Sequence, residues 1–218
     1  MKYLILKDLF LQKRMLVLAF AYVLLLTFAF QSMGEGQLVA IISAVGYMFV
    51  MLGGAWEETN KSDVLWNSMP VSEWQIVGAK YLAIPLYVVF VVLVYGVVSS
   101  AFSLLRIPIS AAPFNPLGIV LGMIGVFIAA SLYYPVYFAL GYTKSRYWHF
   151  ILFFGIIVSA SMIPALFPNK PAWLDPLLAQ IPELANDVAV FVALGMFVVI
   201  LVGGSFLASL TLYRRREF

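Results

Sequence analysis

Apolar residues fill this chain in long blocks separated by short polar breaks, and the blocks predict helices. Six stretches come near the ~20 residues that a helix needs to cross a bilayer: 15–32, 38–55, about 81–105, 117–140, 148–167 and 188–213. The breaks are turn-like. Met33-Gly34-Glu35-Gly36-Gln37 closes the first stretch. Three prolines (Pro108, Pro113 and Pro116) keep the loop after Leu105 from being helical throughout. A basic turn, Gly141 to Tyr147, follows the fourth stretch, and a loop with Pro168, Pro171, Pro176 and Pro182 follows the fifth.

One break is unlike the rest. Between Trp56 and Lys80 lie Glu57, Glu58, Lys61, Asp63, Glu73 and Lys80. A charge at the bilayer centre costs roughly 2.5–3.5 kcal/mol, so the four within positions 57–63 would cost on the order of 10 kcal/mol. This segment is expected in water, with the flanking helices turning there.

Composition agrees with a membrane protein. The chain is 64% hydrophobic and 11% charged, whereas a soluble domain carries about 25% charged residues. We expect one all-α polytopic membrane domain over residues 1–218, with six transmembrane helices. Residues 2–14 mix Leu4, Ile5 and Leu11 with Lys7, Lys13 and Arg14, which suits an amphipathic helix at the membrane surface, with a cytosolic extension of the first span as the alternative. They lack the short apolar core and small-residue cleavage site of a secretory signal. If both termini are cytoplasmic, Lys2, Lys7, Lys13, Arg14, Lys61, Lys80, Lys144, Arg146, Arg214, Arg215 and Arg216 lie inside. Only Arg106 and Lys170 then lie outside, which accounts for all 13 basic residues and follows the positive-inside rule. Trp56, Trp66, Trp74, Tyr142, Tyr147 and Trp148 fall at the expected interfaces.

The interiors of the six stretches hold no Asp, Glu, Lys or Arg. Ion-coupled carriers usually place such residues in the membrane as relays. No phosphate-binding loop is present, since Gly78-Ala79-Lys80 lacks the upstream glycine and the following Ser or Thr. Energy for uphill transport must then come from a partner. Glu57-Glu58 beside a membrane invites comparison with intramembrane metalloproteases. One histidine, His149, and no cysteine cannot assemble a typical metal site. His149 reads as an interfacial residue. We expect no catalytic residue, no bound metal or cofactor and no nucleic-acid partner.

Small residues recur at helical spacing: Gly118, Gly122 and Gly125 on the fourth stretch, and Gly46 and Gly53 on the second. They predict close helix packing, within the subunit or, as the alternative, at a dimer seam. Pro85, Pro135 and Pro164 interrupt three stretches. Tyr133, Tyr134, Tyr137 and Phe138 gather in the second half of the fourth. They are candidates to line an amphipathic substrate path, with interfacial packing as the alternative.

The polar segment resembles permease subunits of the ABC-2 type. Glu57-Glu58, a gap, and then Asn67-Ser68-Met69-Pro70-Val71-Ser72-Glu73-Trp74-Gln75-Ile76-Val77-Gly78-Ala79-Lys80-Tyr81-Leu82 carry the resemblance. The ending Ser209-Leu210-Thr211-Leu212-Tyr213-Arg214-Arg215-Arg216-Glu217-Phe218 is also similar. The pattern departs at Glu73, where a basic residue is common.

This resemblance implies a coupling helix over Asp63 to Ser68 that docks on an ATPase subunit, with ATP and Mg held by that partner. It places Glu57, Glu58, Asp63, Val64, Leu65, Trp66, Asn67, Ser68, Met69, Pro70, Ser72 and Glu73 at the ATPase contact. Lys144 and Arg146 form a smaller second contact. Asp63 and Ser72 suit helix N-caps. Val64, Leu65 and Met69 offer an apolar face, with Trp66 as anchor. Two ATPase subunits, a second permease copy or homologue, and membrane lipid are the implied partners. The small size is similar to bacterial exporters of amphipathic peptides, including the phenol-soluble modulin type, in the cell membrane. A membrane-embedded peptide sensor or immunity protein, without transport, is the alternative.

Overall fold

The computed structural model describes residues 13–34, 36–59, 72–106, 111–151 and 188–215. The regular structure among them is helical: α1 (Lys13–Ala29), a 3-10 turn (Gln31–Met33), α2 (Gly36–Thr59), α3 (Glu73–Leu104), α4 (Pro116–Leu140), α5 (residues 142–151) and α6 (Val188–Arg214). The expected amphipathic helix over 2–14 lies almost wholly outside the described residues. So do Asp63, Val64, Leu65, Trp66, Asn67, Ser68, Met69 and Pro70, and most of the fifth apolar stretch.

Four described helices are long and apolar enough to cross a membrane: Gly36–Glu58, Glu73–Leu104, Pro116–Leu140 and Val192–Arg214. The apolar part of α1, Val17–Ala29, is shorter. The 32 residues of α3 extend about 48 Å at 1.5 Å per residue. That exceeds a ~30 Å hydrocarbon core, so its end turns project beyond the apolar slab.

Local chemistry sets the helix ends. Ser72 holds the cap position of α3 in an extended conformation. Asn115 accepts the Leu117 N–H at 3.0 Å, and Pro116 follows at the first helical position. Gly141, at φ 77°, ends α4 and returns its N–H to the Tyr137 carbonyl at 2.8 Å. α2 runs past the apolar stretch ending at Ala55 and continues through Glu57 and Glu58 to Thr59. Contacts of those two glutamates with α3, α4 and Thr143 hold this extension in place.

α4 lies between α2 and α6, and α3 touches α1, α2, α4 and α6. The α2–α4 seam is built from glycine. A β-carbon on Gly122 would meet the Ile42 β-carbon at 2.7 Å, and one on Gly46 would meet Val126 at 2.7 Å. Absent side chains there let the two backbones approach. Gly54 of α2 also lies against α4, where an added β-carbon would meet the Tyr137 ring at 2.7 Å. At the end of the bundle where α2 begins, buried Gln37 ties three elements together. Its amide nitrogen donates to the Thr27 carbonyl at 2.8 Å, and its oxygen accepts from the Ala112 N–H at 2.6 Å and from the Tyr95 hydroxyl at 3.3 Å.

Candidate functional site

The opposite end of the bundle carries the charge. There α2 stops, α3 starts, α4 turns into α5 and α6 finishes. Glu57 and Lys80, near the two ends of the polar segment, form an ion pair at 2.9 Å, and both side chains are almost fully buried. The Tyr137 hydroxyl of α4 donates to the same carboxylate oxygen at 3.0 Å. Burying either ion alone would cost several kcal/mol, and pairing with further hydrogen bonds offsets that penalty. This is why α2 can carry a glutamate into the protein. The sequence suggested a segment wholly in water, and the structure buries its two root charges.

The neighbouring glutamate turns elsewhere. Glu58 accepts the Thr143 backbone N–H at 2.9 Å, and its other oxygen accepts the Thr143 hydroxyl. Consecutive residues thus bind α2 to α3 and α4 on one side and to the start of α5 on the other. Glu73 pairs with Arg214 at 2.6 Å at the surface, which brings the start of α3 to the end of α6. The Gln75 side chain accepts the Ser72 N–H at 3.4 Å and steadies the first turn of α3.

Lys144 and Arg146 are exposed. The Arg146 guanidinium lies 5.2 Å from the Tyr147 ring centre and donates to its hydroxyl at 3.4 Å. That hydrogen bond and the adjacent positive charge lower the Tyr147 hydroxyl below the usual phenol range. Burial raises that of Tyr142. Trp74, Tyr147 and Trp148 are exposed around this end, a position that suits membrane-interface aromatics.

Tyr133, Tyr134, Tyr137 and Phe138 are together, and all are buried. Tyr133 and Tyr137 stack with ring centres 5.8 Å apart. Tyr134 lies 4.8 Å from Tyr81 of α3, and Phe138 lies 5.5 Å from Tyr213 of α6. The Tyr133 hydroxyl is 3.5 Å from the Ser145 hydroxyl, and the Tyr134 hydroxyl donates to the Lys80 carbonyl at 3.2 Å. This aromatic cluster fills the space between helices of one subunit. His149 is half-buried, with Nδ1 at 3.1 Å from the Tyr47 hydroxyl. Among the described residues no three His, Asp or Glu side chains gather as a metal site requires.

Sequence reasoning missed the Glu57–Lys80 pair and a second polar cluster in which Tyr81 meets Ser205 and Ser209. Opposite charges bracketing a loop were the available signal for the first. For the second it was the spacing Ser205, Ser209, Tyr213, which puts three polar groups on one helix face.

The family model described as ABC-2 family transporter protein matches residues 3–214. The chain belongs to the ABC-2 transporter family. It is a multi-pass membrane protein, and membership makes it the membrane subunit of an ABC transporter that works with an ABC ATPase. Comparison with curated proteins gave no match. In this ABC-2 protein the polar segment is anchored near both of its ends, through Glu57 and Lys80, to α2, α3 and α4.

Proposed function

We propose that the chain is the permease subunit of an ABC exporter with six spans and both termini in the cytosol of a bacterial cell. Two copies, or one copy and a homologue, form the pathway, and two ATPase subunits bind and hydrolyse ATP with Mg. The segment between α2 and α3 docks in the ATPase, with Asp63 to Ser68 as a coupling helix and Trp66 as its anchor. Lys144 and Arg146 add the second contact. The cargo is amphipathic or hydrophobic, and an amphipathic peptide of the phenol-soluble modulin type fits apolar spans whose buried charges among the described residues, Glu57 and Lys80, neutralise each other. It reaches Tyr133, Tyr134, Tyr137 and Phe138 when α4 parts from its neighbours.

One observation carries the coupling role. The buried Glu57–Lys80 pair closes the base of the segment, so a force on its tip passes into α2, α3 and α4 instead of bending a slack loop. The test is Trp66→Asp with Val64→Asp. We expect loss of co-purifying ATPase and of permease-stimulated ATP turnover. An unchanged complex with unchanged turnover contradicts the docking role.

A further inference from the structure

An α-helix loses one hydrogen bond at every internal proline, because residue i has no N–H for the carbonyl of residue i−4. In α4 the proline is Pro135, so the freed carbonyl is that of Ser131. That carbonyl has a donor from another helix: the Ser205 hydroxyl of α6, at 2.6 Å. The Ser131 hydroxyl itself is buried with no hydrogen-bond partner among the described residues, so the replacement donor is not local.

The chain of hydroxyls continues. Ser205 gives its proton to Ser131, so it can only accept from Tyr81 of α3, 2.7 Å away. Tyr81 then accepts from Ser209, at 3.1 Å. All four residues are buried. α3 is interrupted in the same way at Pro85, and the carbonyl that Pro85 frees belongs to Tyr81. The residue whose carbonyl Pro85 frees therefore lies beside the α4 break, with the Tyr81 and Tyr134 rings 4.8 Å apart. Tyr81 also adjoins Lys80, whose side chain is in the ion pair at the root of the polar segment and whose carbonyl accepts from Tyr134.

We infer that Pro135 is the hinge of α4, that Ser205 is the latch holding it closed, and that Tyr81 releases the latch when the ATPase moves the root of α3. This deepens the permease reading and rests on it. Motion of Lys80 carries Tyr81 away from Ser205. Ser205 then loses the donor that orients it, the Ser131 carbonyl loses its cap, and the last turn of α4 swings from α6. Ser205 and Tyr81 are positioning residues; neither is required to touch cargo.

The test uses amide hydrogen exchange over residues 136–140 of the purified chain in lipid nanodiscs, comparing wild type, Ser205→Ala, Tyr81→Phe, Pro135→Ala and the double variant Ser205→Ala/Pro135→Ala. Removing one buried hydrogen bond is expected to speed exchange about threefold to tenfold in Ser205→Ala. Tyr81→Phe speeds it less. Pro135→Ala returns an N–H to the Ser131 carbonyl, so adding Ser205→Ala to it changes nothing. A merely structural serine would speed exchange equally in both backgrounds, and that result overturns the latch. The second arm adds ATP and vanadate to the chain with its co-purified ATPase. Exchange over 136–140 shifts in wild type and not in Pro135→Ala; no shift in wild type overturns the release step. A wild-type chain that retains no ATPase refutes the permease reading and the release step together, while the first arm still decides the latch.

Discussion

The Lys80 ammonium lies 2.9 Å from the Glu57 carboxylate, and the two residues stand near opposite ends of the polar segment between α2 and α3. One contact thus fixes the separation of the segment's roots and the register of two membrane helices. The Tyr137 hydroxyl brings α4 into the same joint.

Breaking that joint on one side should be costly. Lys80→Met or Glu57→Leu removes one ion of this buried pair, and we expect a loss of about 3–5 kcal/mol. Replacing both residues with apolar ones of similar volume should recover most of it. Thermal unfolding in detergent checks the order: each single variant well below wild type, the double variant near it.

The surface pair behaves differently. Glu73 and Arg214 meet at 2.6 Å but are about half exposed. Glu73→Ala should cost no more than about 1 kcal/mol, and high salt should erase the difference. Unfolding midpoints at low and high ionic strength measure this.

Glycines on the two faces of the bundle make a contrasting pair. Gly122→Ala drives a β-carbon into that of Ile42, a rigid neighbour at 2.7 Å, and should destabilise by about 1–3 kcal/mol. Gly203 of α6 has no atom within 4 Å of its added β-carbon among the described residues. Gly203→Ala should be neutral or stabilise by up to about 1 kcal/mol through helix propensity. Equal effects at the two sites would show that the α2–α4 seam is not close-packed.

Gln37→Leu tests the far end. It removes the acceptor for the Ala112 N–H and the donor to the Thr27 carbonyl, leaving buried groups unpaired at about 1–3 kcal/mol. Faster amide exchange at Ala112 than at residues near Glu57 would localise the damage to that end.

The sequence made the four long described helices legible because apolar blocks of bilayer length admit few other structures. Ser72 foretold the start of α3 at Glu73, since a capping residue needs only local geometry. Gly46, Gly118, Gly122 and Gly125 foretold close packing, and Gly54 joins them where Tyr137 packs against it. What stayed hidden depends on which helices become neighbours. Charge signs alone do not say whether Glu57 or Glu58 meets Lys80, because the choice turns on helix phase: Glu57 faces α3 and α4, and Glu58 faces Thr143. The Ser205 contact with Ser131 likewise depends on α6 lying beside the proline break of α4, which no local pattern encodes.

The most direct measurement places a reactive group on the segment itself. The chain has no cysteine, so Val64→Cys is a unique attachment point for a short bifunctional crosslinker in native membranes. The account predicts a covalent adduct with the ATPase subunit, formed from the cytosolic side and reduced when Trp66 is changed to Asp. Labelling of that cysteine only from the outside, or no adduct with any ATPase, would contradict it.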